Sequence, residues 1–353
     1  MSLYPAGMGS PSADAGLPVP LYTTALGEAY VGDALGLLSR LPADSIDLVL
    51  TSPPFALVRK KAYGNEDAEH YADWFLPFAS EVRRVLRPRG SFVVELGWAY
   101  QRGRPVRSLY NIETLLRLCD EQEWLFIQEF YWHNPSKLPS PVEWVAKRRI
   151  RVKDTVSPLF WLAKVEDPKA DWTGVKPPGR DHRKGHPAAE RMGEPGLASV
   201  GLPAILVWDE QALDACPDPP ALDLVAVPTN VINLANTDSN SQYLRYCRAL
   251  GISAHPARFP ARLPRFIIEG LTEPGDLVLD IFAGANMTGA ASEKLGRRWL
   301  AFELNQAYLA ASAFHFLPQR DAGEASRVYQ RLSATPALSL SLASSPGVSE
   351  GKA

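Results

Sequence analysis

Two short stretches carry residue types that can do chemistry. The first is Thr51-Ser52-Pro53-Pro54-Phe55, directly after the apolar run Leu48-Val49-Leu50. Consecutive prolines fix the backbone and remove two N–H donors. The carbonyls near Ser52 and Pro53 are then free to accept hydrogen bonds, and Phe55 supplies a flat apolar face. Such a set suits a base turned out of a duplex, held by its amino edge and stacked on a ring. A rigid turn after a strand accounts for the same residues equally well.

The second stretch is Asp280-Ile281-Phe282-Ala283-Gly284-Ala285-Asn286-Met287-Thr288-Gly289, which follows a strand signal and opens a helix signal. Glycine there permits tight turning and close approach of a ligand. Glu303 ends the next strand about 20 residues beyond Gly284, where an acid can bind ribose hydroxyls. A dinucleotide enzyme would want GxGxxG, but Asn286 holds the middle position. Its side chain obstructs a pyrophosphate, while Asn286 and Thr288 offer hydrogen bonds. A nucleoside without pyrophosphate fits better, and S-adenosylmethionine is the obvious one. The alternative is a plain strand–turn–helix.

The elements that must position these residues alternate along the chain. Residues 29–33 and 45–54 read as buried strands. Residues 70–86 have helical spacing, with Trp74, Phe75, Phe78, Val82 and Val85 on one side, and Pro88 and Gly90 stop the helix. A strand at 91–97, a helix at 112–123 and strands at 124–132 and 157–164 follow. From 165 to 230 the periodicity breaks among many prolines and glycines. Helices return at 242–251 and 263–271, then a strand at 276–282, a helix at 287–296 and a strand at 297–304. Alternation of this kind implies a mostly parallel sheet with helices on both faces, binding ligands beyond the carboxyl ends of its strands.

Composition narrows the classes. The 353 residues are 46% hydrophobic and 22% charged, the balance of an ordinary globular chain. No run of 18 apolar residues suggests a membrane span, and no secretory leader is visible. Cys119, Cys216 and Cys247 form no CxxC pair, so neither a zinc cage nor a disulfide framework is expected, nor any other metal site, and a cytoplasmic setting fits. The net charge of −2 argues weakly against nucleic acid. Between Lys147 and Arg191, however, twelve basic residues face six acidic ones, which could form a phosphate-facing surface.

Taken together, the two motifs resemble the amino-methylating DNA methyltransferases, with target motif first and cofactor motif last as in their β group. The family tetrapeptide is [DNS]PP[YFW], and serine first with phenylalanine last resembles the N4-cytosine members. The resemblance covers roughly residues 27–165 and 230–310. It implies an α/β fold, a circularly permuted Rossmann-like S-adenosylmethionine-dependent sheet with a smaller irregular target-recognition module. The expected division is a flexible tail at 1–20, the catalytic half at 21–165, the recognition module at 166–235, the cofactor half at 236–318 and a flexible tail at 319–353.

The resemblance also implies roles. Ser52, Pro53, Pro54 and Phe55 would be catalytic. Asp33, Glu95, Phe259, Pro260, Asp280, Phe282, Ala283, Gly284, Asn286, Thr288 and Glu303 would hold the cofactor. Asp33 could instead cap a helix, Glu95 could meet the target base, and His255 is expected to order its loop. Asn134 would bond the base edge, and Lys147, Arg148, Arg149 and Arg151 would contact DNA. Asp238 or Ser239 would cap the following helix. No Pro-Cys pair occurs, so C5 methylation through a thiolate is not expected. The reading is N4-cytosine methylation of double-stranded DNA, with room for a cognate restriction endonuclease sharing the site. Rivals are N6-adenine methylation, an RNA methyltransferase and an inactive cofactor-binding DNA-binding protein.

Overall fold

The computed structural model describes residues 16–57, 66–176, 228–236, 241–317, 321–334 and 339–342. Its strands are β1 (Tyr22–Thr23), β2 (Gly27–Val31), β3 (Ile46–Thr51), β4 (Leu86–Glu95), β5 (Leu125–His133), β6 (Val156–Ala163), β7 (Val231–Asn233), β8 (Leu277–Asp280), β9 (Arg298–Glu303) and β10 (Leu340–Ser341). They form one sheet in the order β10-β1-β2-β9-β8-β3-β4-β6-β5-β7. The run from β2 to β4 is parallel throughout, and β6 is antiparallel to both β4 and β5. Every residue of β3 is buried, as expected of a strand covered on both faces.

The helices are α1 (Ala34–Leu38), α2 (Tyr71–Val85), α3 (Tyr110–Gln122), α4 (Gln242–Ala249), α5 (Arg262–Leu271), α6 (Met287–Lys294), α7 (Gln306–Ser312) and α8 (Ala322–Ser333). The apolar stripe of α2 buries Phe75, Phe78, Val82 and Val85 against Val49, Phe92 and Val94. On the other face α5 buries Leu263, Phe266, Ile267 and Leu271 with Leu48, Leu50 and Val278. Alternate residues of β3 thus feed opposite layers, as a pleated strand requires. No helix among the described residues is long and apolar enough to cross a membrane.

One pairing brings the two motifs together. Leu48 of β3 lies opposite Val278 of β8, and Val49 opposite Leu279. Both strands run in the same direction, so Ser52 and the turn after Asp280 emerge at the same end of the sheet despite their separation in the chain.

Three expectations change. The Arg-Pro-Arg-Gly segment that stops α2 is not a turn between elements but a bulge inside β4. Leu86 pairs with Ile46 and Ser91 with Leu48, so Arg87–Gly90 loop outward, with Arg87 on Asp47 at 3.0 Å. The C-terminal segment 319–353, expected as a flexible tail, contains α8 and β10. Asp321 caps α8, accepting from the Gly323 and Glu324 amides, and Ala325, Val328 and Leu332 are buried against Phe314 and Tyr246. Their three- and four-residue spacing is a helical stripe, thinned by polar neighbours to three positions. The cap of α4 is Ser241, whose side chain accepts from the Leu244 amide, while Asp238 and Ser239 lie outside the described residues. So do residues 1–15 of the N-terminal tail, 177–227 of the middle module and 343–353 at the C-terminus. The described start of that module is anchored, with the Trp172 ring 5.1 Å from that of Phe266.

Candidate active site

Beyond the carboxyl ends of β3, β8, β9 and β4 lies a cleft of about 380 Å³, within the usual range for small-molecule sites. Ser52, Pro53, Pro54 and Phe55 line it, as do Asp33, Glu95, Asn134, Phe259, Asp280, Phe282, Ala283, Gly284, Thr288 and Glu303. Most of the residues singled out by the sequence therefore meet in one place.

The cleft has two chemically distinct ends. At one, the Ser52 hydroxyl donates to Glu95 Oε2 at 2.9 Å, and the Ser157 hydroxyl also bonds the Glu95 carboxylate. Burial raises the affinity of Glu95 for a proton, opposed by these two hydroxyls and by the positive charge of Lys137. These bonds tie Glu95 to the tetrapeptide. The Phe55 ring lies close against Gly97, where a Cβ would meet the ring at 2.3 Å. Tyr110 and Asn111 donate to the carbonyls of Gly97 and Leu96, which holds the exit of β4 in place. Trp132 closes this end, its indole N–H on the Leu234 carbonyl at 2.9 Å.

At the other end, Glu303 Oε2 accepts from the Gly284 amide at 2.7 Å and Oε1 from the Asn305 amide at 2.8 Å. Burial raises its proton affinity as well. Gly284 adopts φ +51°, and a Cβ there would reach 3.0 Å from the His255 ring, so glycine is required for both reasons. The His255 ring stands edge-on to Tyr308 at 4.6 Å, and its Nδ1 bonds the Ala257 carbonyl. It orders the strap of residues 255–260 over the turn, as expected. Asp33 lines the cleft and caps α1, accepting from the Gly36 amide at 3.0 Å.

Between the ends sits Asp280. Its carboxylate accepts from Thr51 at 2.7 Å, from Thr288 at 2.8 Å and from the Phe282 amide at 3.1 Å. Burial pushes its pKa up to about 6. Asp280 is a tie between the two motifs, and its oxygens are already engaged inside the protein.

Several assignments need correction. Asn286 does not line the cleft. It is fully buried, and its side chain accepts from the Gly289 amide at 3.0 Å and donates to the Tyr22 hydroxyl at 3.0 Å. With φ at 52° it caps α6 from the left-handed region, which asparagine tolerates better than most residues. Its bulk therefore cannot be what excludes a pyrophosphate. The Thr288 hydroxyl is spent on Asp280 and offers the cleft its other atoms. Pro260, the last residue of the strap, is buried and does not line the cleft. It leads into α5, its carbonyl accepting from Leu263 at 2.9 Å.

The basic run also divides. Lys147, Arg148, Arg149 and Arg151 lie outside the cleft. Lys147 pairs with Glu143 at 3.3 Å, and Arg151 donates to the Pro105 carbonyl. Arg148 and Arg149 make no ion pair among the described residues. Lys164 reaches Asp44 at 2.9 Å, at the far end of β6, about 23 Å of extended chain from Ser157. Arg180, Arg183, Lys184 and Arg191 lie outside the described residues. The described members of the run thus do not make one surface.

Ser157, Lys137, Thr155 and Asn236 also line the cleft, and sequence reasoning passed over them. Ser157, Lys137 and Thr155 lie at strand ends or loops placed by the antiparallel pairing of β5 and β6, and Asn236 follows β7, placed by its parallel pairing with β5; no local motif announces either pairing.

Comparison with known proteins agrees with this geometry. A family described as DNA methylase matches residues 46–314. The chain belongs to the DNA methylase family. Type II methyltransferase M.PvuII of Proteus hauseri is 48% identical over 299 residues, covering 84% of this chain and 86% of that protein. The solved structure of PvuII DNA methyltransferase (cytosine-N4-specific) superposes with a TM-score of 0.73 at 44% identity, covering 92% of this DNA methylase and 98% of that chain. DNA adenine methyltransferase YhdJ of Escherichia coli (strain K12) is a more distant relative, 24% identical over 285 residues, 79% of this chain and 78% of that one. The fold shared with the PvuII enzyme is the permuted sheet that the motif order implies.

Proposed function

We propose that this DNA methylase transfers a methyl group from S-adenosylmethionine to the N4 amino group of a cytosine turned out of double-stranded DNA. The observation that carries the reading is the Ser52–Glu95 hydrogen bond at 2.9 Å, set beside the Pro-Pro carbonyls at the end of the cleft opposite Glu303. The 48% identity to a relative whose solved structure is titled cytosine-N4-specific supports the choice of base.

The cleft fits the cofactor at its Glu303 end. Gly284 leaves open the space that a Cβ would fill, Glu303 can accept from vicinal hydroxyls, and Asp33 Oδ1 faces no internal donor among the described residues. Ala283 and Phe282 would flank the bound molecule. The group, when bound, supplies an electrophilic methyl on a sulfonium. The protein's own part is positional and electrostatic. The Ser52 oxygen and the Pro53 carbonyl accept the two amino hydrogens, drawing the nitrogen lone pair out of conjugation with the ring. Phe55 stacks on the base. The surplus amino proton would pass to the Ser52 oxygen while the Ser52 proton passes to Glu95. Burial suits Glu95 to receive it.

The irregular middle, residues 166–235, is proposed to read the DNA sequence, and the setting is proposed to be a restriction-modification pair. The test is incubation of the purified protein with plasmid DNA and S-adenosylmethionine, followed by nucleoside mass spectrometry. N4-methylcytosine is expected. N6-methyladenine would overturn the base, and no methylated nucleoside from several DNAs would overturn the activity.

A further inference from the structure

Between β5 and β6 the chain makes an excursion from Asn134 to Thr155, two residues that both line the cleft. The Asn134 amide donates to the Thr155 carbonyl at 2.7 Å, so this arm is pinched shut at its root on the rim. Its body is fastened down. Trp144 packs on Tyr100 with ring centroids 5.3 Å apart. Asp154 accepts from the Tyr100 hydroxyl at 2.8 Å and pairs with Arg107.

Of the exposed apolar side chains of the arm, among them Leu138 at 79% and Val142 at 55%, the most exposed stands near its end. Val152 is 87% exposed. Its two neighbours are tied inward: Arg151 donates to the Pro105 carbonyl, and Lys153 Nζ to the Pro135 carbonyl at 3.0 Å. In extended chain, alternate residues point to opposite sides, so fixing 151 and 153 against the protein directs 152 away from it. Ile150, two residues earlier, is 50% exposed. Folding does not stabilise an isolated apolar side chain held out in water. Arg148 and Arg149 precede it closely in the chain, and its two neighbours are also cationic. The acids of the arm, Glu143 and Asp154, are each taken up by an ion pair. An apolar tip with cationic neighbours is complementary to a nucleic-acid duplex, whose backbone is anionic and whose base steps are apolar.

We propose that Val152 is a wedge that enters the duplex at the position vacated by the target base, holding the base in the cleft. The inference rests on the reading of the cleft as the receptacle of a cytosine turned out of DNA. Thr155 on the rim is three residues from Val152, at most about 10 Å of chain, so a base swung into the cleft leaves its gap within reach of the tip. Val152 touches neither cofactor nor reacting atoms and acts as a positioning residue. It offsets part of the unstacking cost, which falls on a paired target and is smallest for an unpaired one.

The test uses a duplex oligonucleotide carrying the site that the wild-type protein methylates. One version pairs the target cytosine with guanine, and the other places it opposite an abasic position. Val152→Gly is expected to lower kcat/KM at least about tenfold on the paired duplex and to return to within about threefold of wild type on the abasic one, because the unpaired base leaves the stack at little cost. Val152→Ile should stay near wild type on both. Cofactor affinity by calorimetry and the melting midpoint should be unchanged in both variants. Full activity of Val152→Gly on the paired duplex, or an equal loss on both duplexes, overturns the wedge. Wild-type product on the paired duplex separates the two readings: without N4-methylcytosine there, the cleft reading falls and takes the wedge with it.

Discussion

At the scale of single residues, the site depends on two buried carboxyls doing different work. Glu95 accepts from the Ser52 hydroxyl, through which the proposed proton transfer runs. Because burial raises its proton affinity, the acid limb of kcat/KM should lie above the usual carboxylate range, with activity lost as pH falls and Glu95 becomes protonated. Ser52→Ala and Glu95→Gln should each lower kcat by roughly 100-fold or more, leave cofactor affinity intact, and in the glutamine variant abolish that acid limb. A pH profile of both variants that matches wild type would contradict the relay. Asp280 instead joins the two motifs. Its pKa rises from 3.8 to about 6, so its contribution is fully favourable below about 3.8 and is lost as pH rises through about 6. The loss across that window is on the order of 3 kcal/mol. Asp280→Asn does not bury that charge, so its melting midpoint relative to wild type should climb between pH 4 and pH 7. A difference independent of pH would remove this account.

At the scale of elements, the C-terminal helix α8 closes the cofactor side of the sheet. Gln306 at the start of α7 donates to the carbonyls of Leu332 at 2.7 Å and Ala334 at 3.0 Å, and β10 pairs with β1. Truncation after Leu317 removes Val328 and Leu332 from their contacts with Phe314 and Tyr246. Burial of two such side chains is worth about 3–6 kcal/mol, so the melting midpoint should fall by roughly 5–10 °C. A calorimetric midpoint equal to wild type would mean that the segment is dispensable. The arm between β5 and β6 is the opposite case: its ends are fixed at the cleft and its tip faces outward, so changes there should alter DNA handling without altering stability.

At the scale of the whole molecule, a chain of net charge −2 must concentrate its positive charge to meet DNA. Several cations near the arm are committed to internal partners, and Lys164, just beyond the far end of β6, is held by Asp44. Arg148 and Arg149 stand apart from both groups. Replacing both with alanine should weaken DNA binding about equally for all sequences and reduce the slope of log affinity against log salt by about two. It should not change the base that is methylated. Filter-binding titrations over a range of salt check this, and an unchanged slope would place the phosphate contacts elsewhere.

Much of the molecule was legible in the sequence because its determinants are local. The strands and helices from residue 27 to 304 follow from apolar spacing and Pro-Gly punctuation, and the tetrapeptide and glycine turn sit where strand ends predict them. The direction of side chains at turns was not legible. Asn286 was expected at the cofactor and lies in the interior, because whether a left-handed cap faces inward or outward depends on Tyr22, some 264 residues away. The bond between Glu95 and Ser52 was not legible either, because the pairing of β3 with β4 and of β4 with β6 decides which strand ends share a wall. A stripe of only three apolar residues concealed α8. Local spacing determined which residues could react and which segments would be regular. Only the tertiary structure decided which of them face each other, because long-range strand pairing and burial act between residues that no sequence window contains together.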